Sequence, residues 1–137
     1  MKSEVKTGGR QREYGNDGSD PPWNIQERAY EFGVRVLKLV RAMPRDIGGM
    51  VVGRQVARSG TSIGANAEEA KAAHSKKEFI QKMNIARKEA RETFLWLRMI
   101  RDAELMTPSR LANLLRESEE FVKIFTAIVK KSRESSR

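Results

Sequence analysis

From Ile25 onward, apolar residues return every three or four positions, and no stretch alternates apolar with polar. That period belongs to one face of an α-helix and not to a half-buried strand. In IQERAYEFGVRVLKLVRAM the row is Ala29, Phe32, Val36, Leu39 and Met43, widened by Tyr30, Val34, Leu37 and Val40. Pro44 stops this helix, because the residue before a proline is pushed away from helical angles. A second helix is predicted from about Arg45-Asp46, with Val56, Gly60, Ile63, Ala67 and Ala70 as its apolar line. Met50-Val51-Val52 would suit a short strand, but nothing else in the chain offers a strand to pair with it. The third helix opens at Ser75-Lys76-Lys77-Glu78, a capping box in which serine and glutamate satisfy each other's orphan backbone donors. Phe79, Met83, Ala86, Ala90, Leu97 and Ile100 continue its stripe. The fourth helix starts at Thr107-Pro108, a cap followed by proline at the first helical position. Its face is Leu111, Leu114 or Leu115, Phe121, Ile124, Phe125, Ile128 and Val129.

Four such helices with short connections predict an all-α fold, an antiparallel up-down four-helix bundle. The bundle is assigned to residues 25–133, with 134–137 as a frayed end. Residues 1–24 are rich in Gly, Ser, Asp and Asn, contain Pro21-Pro22 and show no period, so a disordered tail is expected there. The tail carries four Lys/Arg and four Asp/Glu, so the net charge of +9 belongs to the rest of the chain. An excess that large favours polyanionic partners: RNA, DNA or acidic protein surfaces. No apolar run approaches the ~20 residues of a membrane span, and the N-terminus has no apolar signal region. A cytoplasmic location is therefore expected. Absence of cysteine removes disulfides and thiolate metal sites.

Gly60-Thr61-Ser62-Ile63-Gly64 fits the G-x-S-x-G pattern of a nucleophile elbow. Such an elbow needs a strand before it, a helix after it and a histidine base. Ser62 instead lies within a helical pattern, and the one histidine, His74, is twelve residues away. On one straight helix that is ~18 Å, far beyond hydrogen-bond reach. His74 suits a helix C-terminus, where a cation meets the dipole. A di-iron site of the bundle type needs Glu-x-x-His pairs; Glu89 and Glu92 share a face, but Lys71 stands three before His74. No enzymatic activity, metal or cofactor is expected.

The small residues suggest another use. Gln55, Ser59, Ser62, Asn66 and Glu69 fall on one face of the second helix. Gly60 and Gly64 would let another backbone come close, at about 1 kcal/mol each relative to alanine. Glu89, Glu92 and Trp96 line a face of the third helix, and Arg58, Asn66 and Glu69 are candidate partners for them. A partly buried polar network between the two helices, or between subunits, is expected. Lys77, Lys88, Arg91 and Arg98 share another face, Arg87 and Arg101 lie nearby, and Lys130 and Lys131 load the C-terminal end. These predict sequence-tolerant contacts to a phosphate backbone. Base readout is not predicted, since no zinc finger or RNA-recognition pattern of aromatics is present.

The stretch from Gln55 to Ala70, then Ser75-Lys76-Lys77-Glu78-Phe79, Lys88-Glu89-Ala90-Arg91-Glu92-Thr93 and Trp96-Leu97, resembles one bacterial family. It is the four-helix-bundle family related to the protein encoded in intervening sequences of 23S ribosomal RNA genes, the S23-type proteins. The resemblance spans about residues 25–131 and leaves out the tail. It implies an up-down bundle that assembles as a pentameric ring. A similar fold serves as the accessory protein of diversity-generating retroelements, where a basic pentamer binds reverse transcriptase and nucleic acid. The resemblance carries over no catalytic residues. The expected function is a non-enzymatic, basic, oligomeric bundle that binds RNA, DNA or a nucleic-acid-binding protein. The alternative is a protein-interaction scaffold with no nucleic-acid role.

Overall fold

The computed structural model describes residues 24–135. The expected N-terminal tail lies outside these residues, save Asn24, as do the last two residues of the expected frayed end. Four helices follow in order: α1 Asn24–Arg41, α2 Ile47–Lys71, α3 Lys76–Asp102 and α4 Pro108–Glu134. No strand occurs among the described residues, and Met50-Val51-Val52 is helical.

Each helix end has a local cause. Asp46 caps α2, its Oδ1 accepting from the Gly49 amide at 2.8 Å. Position 49 must be glycine: a Cβ there would stand 2.1 Å from the Pro44 carbonyl oxygen. Ser75 caps α3, its Oγ accepting from the Glu78 amide at 3.1 Å. The returning half of the predicted box is displaced by one residue. Glu78 Oε1 accepts from the amide of His74 at 3.1 Å, not from that of Ser75. Thr107 occupies the N-cap of α4 but makes no side-chain capping bond. Pro108 at the next position has no N–H to satisfy, which lowers the need for one. The α3 C-terminus closes with Glu104 at φ 60°. There the Leu105 amide reaches Ile100 O at 2.9 Å and the Glu104 amide reaches Arg101 O at 3.0 Å. That is a Schellman closure with glutamate at the position that favours glycine.

The helices pack around one core. Phe32, Val36, Val56, Ile63, Met83, Leu97, Ile100, Leu111, Phe121 and Phe125 are fully enclosed, as the helical periods predict. The widening of the α1 row does not hold for two members: Tyr30 is 63% and Leu37 46% exposed. On α4 the core residue is Leu114, while Leu115, Ile124 and Ile128 pack against its edge.

The α1–α2 seam is tight because of its glycines. A Cβ on Gly60 would stand 2.9 Å from Val36 Cγ1, and one on Gly64 would stand 3.4 Å from the Ala29 backbone. Gly53 faces Val40, so partner numbers fall along α1 as they rise along α2. The same relation holds between α2 and α3, where Arg58 meets Glu92 and Glu69 meets Lys82. It holds again between α3 and α4, where Lys76 meets Ser135 and Arg87 meets Thr126. α1 reaches α4 over a much shorter seam, closed by side chains. Phe32 and Phe121 meet edge to face at 5.3 Å, and Phe121 stacks on Phe125 at 5.9 Å.

Candidate functional site

The polar residues of α2 and α3 come together within one chain. Ser59 and Thr93 are fully buried, and their hydroxyls are hydrogen-bonded at 2.8 Å. Thr93 Oγ1 also bonds the Glu89 carbonyl at 2.7 Å, which keeps it satisfied in the apolar interior. At the rim, Arg58 spans two carboxylates: Glu89 at 3.3 Å, and Glu92. Trp96 Nε1 donates to Glu92 at 3.1 Å. Glu89 and Glu92 are mostly covered while Arg58 is half exposed, so the carboxylates bear the desolvation and the guanidinium offsets it.

The other members of the predicted stripe separate from this cluster. Asn66 Nδ2 donates to the Ser62 carbonyl at 2.9 Å, one turn back on its own helix. Glu69 pairs with Lys82 at 2.8 Å, and the hydrogen bond that the Lys82 ammonium donates to the Glu69 carboxylate holds it above its ordinary pKa. Gln55 and Ser62 are half-buried on α2. Ser62 lies inside an unbroken helix, not at a strand-to-helix turn. His74 is exposed in the α2–α3 connection, past the end of α2.

A second network joins α1 and α4, and the sequence reading missed it. Arg28 bonds Glu120 at 3.0 Å and Glu117 at 3.3 Å, and Arg35 also bonds Glu117. Burial opposes the Arg28 charge, but the hydrogen bonds that its guanidinium donates to Glu120 and Glu117 outweigh it and raise its pKa. Both guanidiniums lie beside aromatic faces, Arg28 5.3 Å from the Phe121 ring and Arg35 5.8 Å from Phe32. The available signal was spacing: Arg28 and Arg35 are two turns apart, and Glu117 and Glu120 stand four and one residues before Phe121.

The predicted basic residues are less uniform than their spacing suggests. Lys77, Lys88, Arg91, Arg98, Lys130 and Lys131 are exposed and form no ion pair with a described residue. Arg87 is half-buried and reaches Thr126 Oγ1 at 3.5 Å. Arg101 is occupied by Asp102 at 2.8 Å, a bond that lowers the Asp102 pKa and raises that of Arg101. Arg98 sits 5.9 Å from the Phe94 ring. Arg91, Phe94, Leu95 and Arg98 of α3 and Glu119, Val122 and Lys123 of α4 line one groove. Lys123 is a groove cation that α3-centred reading overlooked.

No helix among the described residues is long and apolar enough to cross a membrane. Among those residues, no three histidine or acidic side chains converge as metal ligands.

The chain has known counterparts. A solved structure of a protein of unknown function, from the S23 ribosomal protein family of Bacteroides thetaiotaomicron, superposes with a TM-score of 0.74. It is 37% identical, and the match covers 80% of this chain and 99% of that one. No curated protein matches the chain. The family model described as 23S rRNA-intervening sequence protein matches residues 23–127, which takes in all of α1, α2 and α3 and most of α4. The chain therefore belongs to the 23S rRNA-intervening sequence protein family.

Proposed function

We propose that the chain is a non-enzymatic, antiparallel up-down bundle that works as a cytoplasmic homopentamer. It binds RNA, DNA or a nucleic-acid-binding protein through contacts to phosphates. The observation that carries this reading is the set of exposed cations on α3 and α4 that form no ion pair with a described residue. Lys77, Lys88, Lys130 and Lys131 are among them. Solvent-exposed cations without carboxylate partners leave a positive potential at the surface, which attracts polyanions. The falling and rising partner numbers along successive helices support the antiparallel order. The pentamer rests on the family likeness. The engagement of Glu89 and Glu92 by Arg58 and Trp96 supports a structural role for that cluster.

The test is a salt titration of binding to an unstructured RNA and to duplex DNA. Each phosphate contact contributes about 0.7 to 0.9 to the slope of log affinity against log salt. Lys130→Gln with Lys131→Gln should lower that slope by about one to two. Absence of binding at low salt would remove the nucleic-acid reading and leave the scaffold alternative.

A further inference from the structure

The end of the bundle where α1 turns into α2 carries apolar side chains that no described residue covers. Seven large apolar residues are well exposed among the described residues, and five lie here: Ile47, Met50, Val51, Leu95 and Met99. Ile47 is the most open of them, at 82%. Ile47, Met50, Val51 and Arg54 recur at the three- and four-residue spacing of one helix face. Gly49 and Gly53 face α1 and the turn after it, while Gly48 and Val52 face the groove beside α3. The stripe therefore points away from both neighbouring helices. Val51 is seven residues before Arg58 and Met99 seven after Glu92, so the Arg58–Glu92 pair sets them level. Leu95 falls within the same band, which is about 12 Å long along the axis.

Cations rim this patch. Between α1 and α2, Arg41, Arg45 and Arg54 line a groove of about 570 Å³ together with Val40, Met43 and Met50, and no carboxylate lines it. All three arginines are exposed, and none forms an ion pair with a described residue. On the other flank Arg98 lines the groove between α2 and α3, beside Val52, Leu95 and Met99. Asp46 and Asp102 border the patch, but both are engaged: Asp46 accepts from the Gly49 amide and Asp102 from Arg101. Glu104, past the end of α3, is the exposed carboxylate that remains. The first turn of α2 holds no acidic residue, although the helix dipole favours one there.

We propose that this tip docks on an anionic membrane surface, with Ile47, Met50 and Val51 inserted among the lipids and Arg41, Arg45 and Arg54 on their phosphate groups. The chemistry selects that partner. A side chain that protrudes as Ile47 does suits a yielding apolar layer, and a phosphate backbone in water offers it nothing. A twofold contact with a second copy would bring the same arginines against one another. An anionic bilayer supplies hydrocarbon and negative charge at once. The bundle lies on such a surface and does not cross it. Lys77 stands about 33 Å along α3 from Met99. Lys76 bonds Ser135, so Lys130 and Lys131 also sit toward that far end. The membrane contact and the phosphate contacts assigned to those lysines are therefore separable by mutation.

The experiment is flotation of the full chain with vesicles of phosphatidylcholine, alone or mixed in equal parts with phosphatidylglycerol. The wild-type chain should float with the anionic vesicles and stay behind with the neutral ones. Ile47→Ser with Val51→Ser should weaken binding by about tenfold per residue. Arg41→Gln with Arg54→Gln should weaken it by about fivefold per residue. Lys130→Gln with Lys131→Gln should bind vesicles as the wild type does. In Ile47→Trp, anionic vesicles should shift the indole emission to the blue, beyond any shift of the native Trp23 and Trp96. No flotation of the wild-type chain would overturn the proposal. Undiminished flotation of the double serine variant, with no blue shift at position 47, would show mere attraction of a basic chain to negative charge and overturn the insertion. Without vesicles, the double serine variant should sediment with the wild-type mass and bind RNA as the wild type does. A lower mass would make the patch a subunit contact, and weaker RNA binding would make it a nucleic-acid contact; either would overturn the membrane assignment.

Discussion

Two glycines seven residues apart on α2, Gly53 and Gly60, both face α1, yet alanine should stabilise only at the first. In a helix interior, alanine is favoured over glycine by about 1 kcal/mol. At Gly53 nothing opposes that gain: an added Cβ would meet Val40 Cγ1 at 3.6 Å and Met43 Sδ at 3.9 Å, ordinary contacts. Gly53→Ala should therefore stabilise by about 1 kcal/mol, or about 4 °C in Tm for a domain of this size. At Gly60 the Cβ would stand 2.9, 3.0 and 3.2 Å from three atoms of Val36. Val36 is fully buried and β-branched, so it has little rotamer freedom with which to yield. Overpacking of this kind costs about 1–3 kcal/mol, so Gly60→Ala should end neutral to about 2 kcal/mol destabilised. Urea unfolding at one fixed protein concentration reads both variants. Val36→Ala made in each background isolates the cause: it should couple to Gly60→Ala and add independently to Gly53→Ala. Equal stabilisation by both alanines, or no coupling between positions 36 and 60, would refute the close approach at Gly60.

Other expectations follow from the helix ends and the polar rim. Ser75→Ala should cost about 1 kcal/mol, whereas Thr107→Ala should cost next to nothing, since only the serine makes its capping bond; thermal melts compare them. Glu104→Gly should stabilise by about 1 kcal/mol by relieving a left-handed residue, and a lower Tm would count against the Schellman closure. In a double-mutant cycle, Arg58→Ala and Glu89→Ala should couple by about 0.5–1 kcal/mol, because Arg58 is half exposed; strict additivity would deny the pair.

Much of this fold was legible because helical period and end signals are local. The apolar rows named the core, and Pro44, Ser75 and Thr107-Pro108 placed three boundaries. Period fixes which side of a helix turns inward but not how far cover extends around it. That is why Tyr30 and Leu37, on the flank of the α1 row, emerge exposed. The α2–α3 cluster was visible as facing stripes, yet spacing could not decide which side chains reach across. Arg58 does, while Asn66 turns back to its own helix and Glu69 finds Lys82. The Arg28–Glu117–Glu120 group stayed hidden because its members lie about ninety residues apart and only the closing of the bundle brings them together. GTSIG, a nucleophile motif by pattern, is the place where α2 lets α1 approach.

That α1–α4 seam sets an order of events. Three of the four helix pairings join sequence neighbours, which short connections make quick to form. The remaining one must bridge almost the whole described chain, and it is held by aromatic edges and charged hydrogen bonds more than by close backbones. Contacts of that kind form late, after the entropy of closing so long a loop has been met. Weakening Phe121 or Glu117 should then quicken unfolding while leaving the folding rate nearly unchanged, the kinetic mark of a latch fastened last.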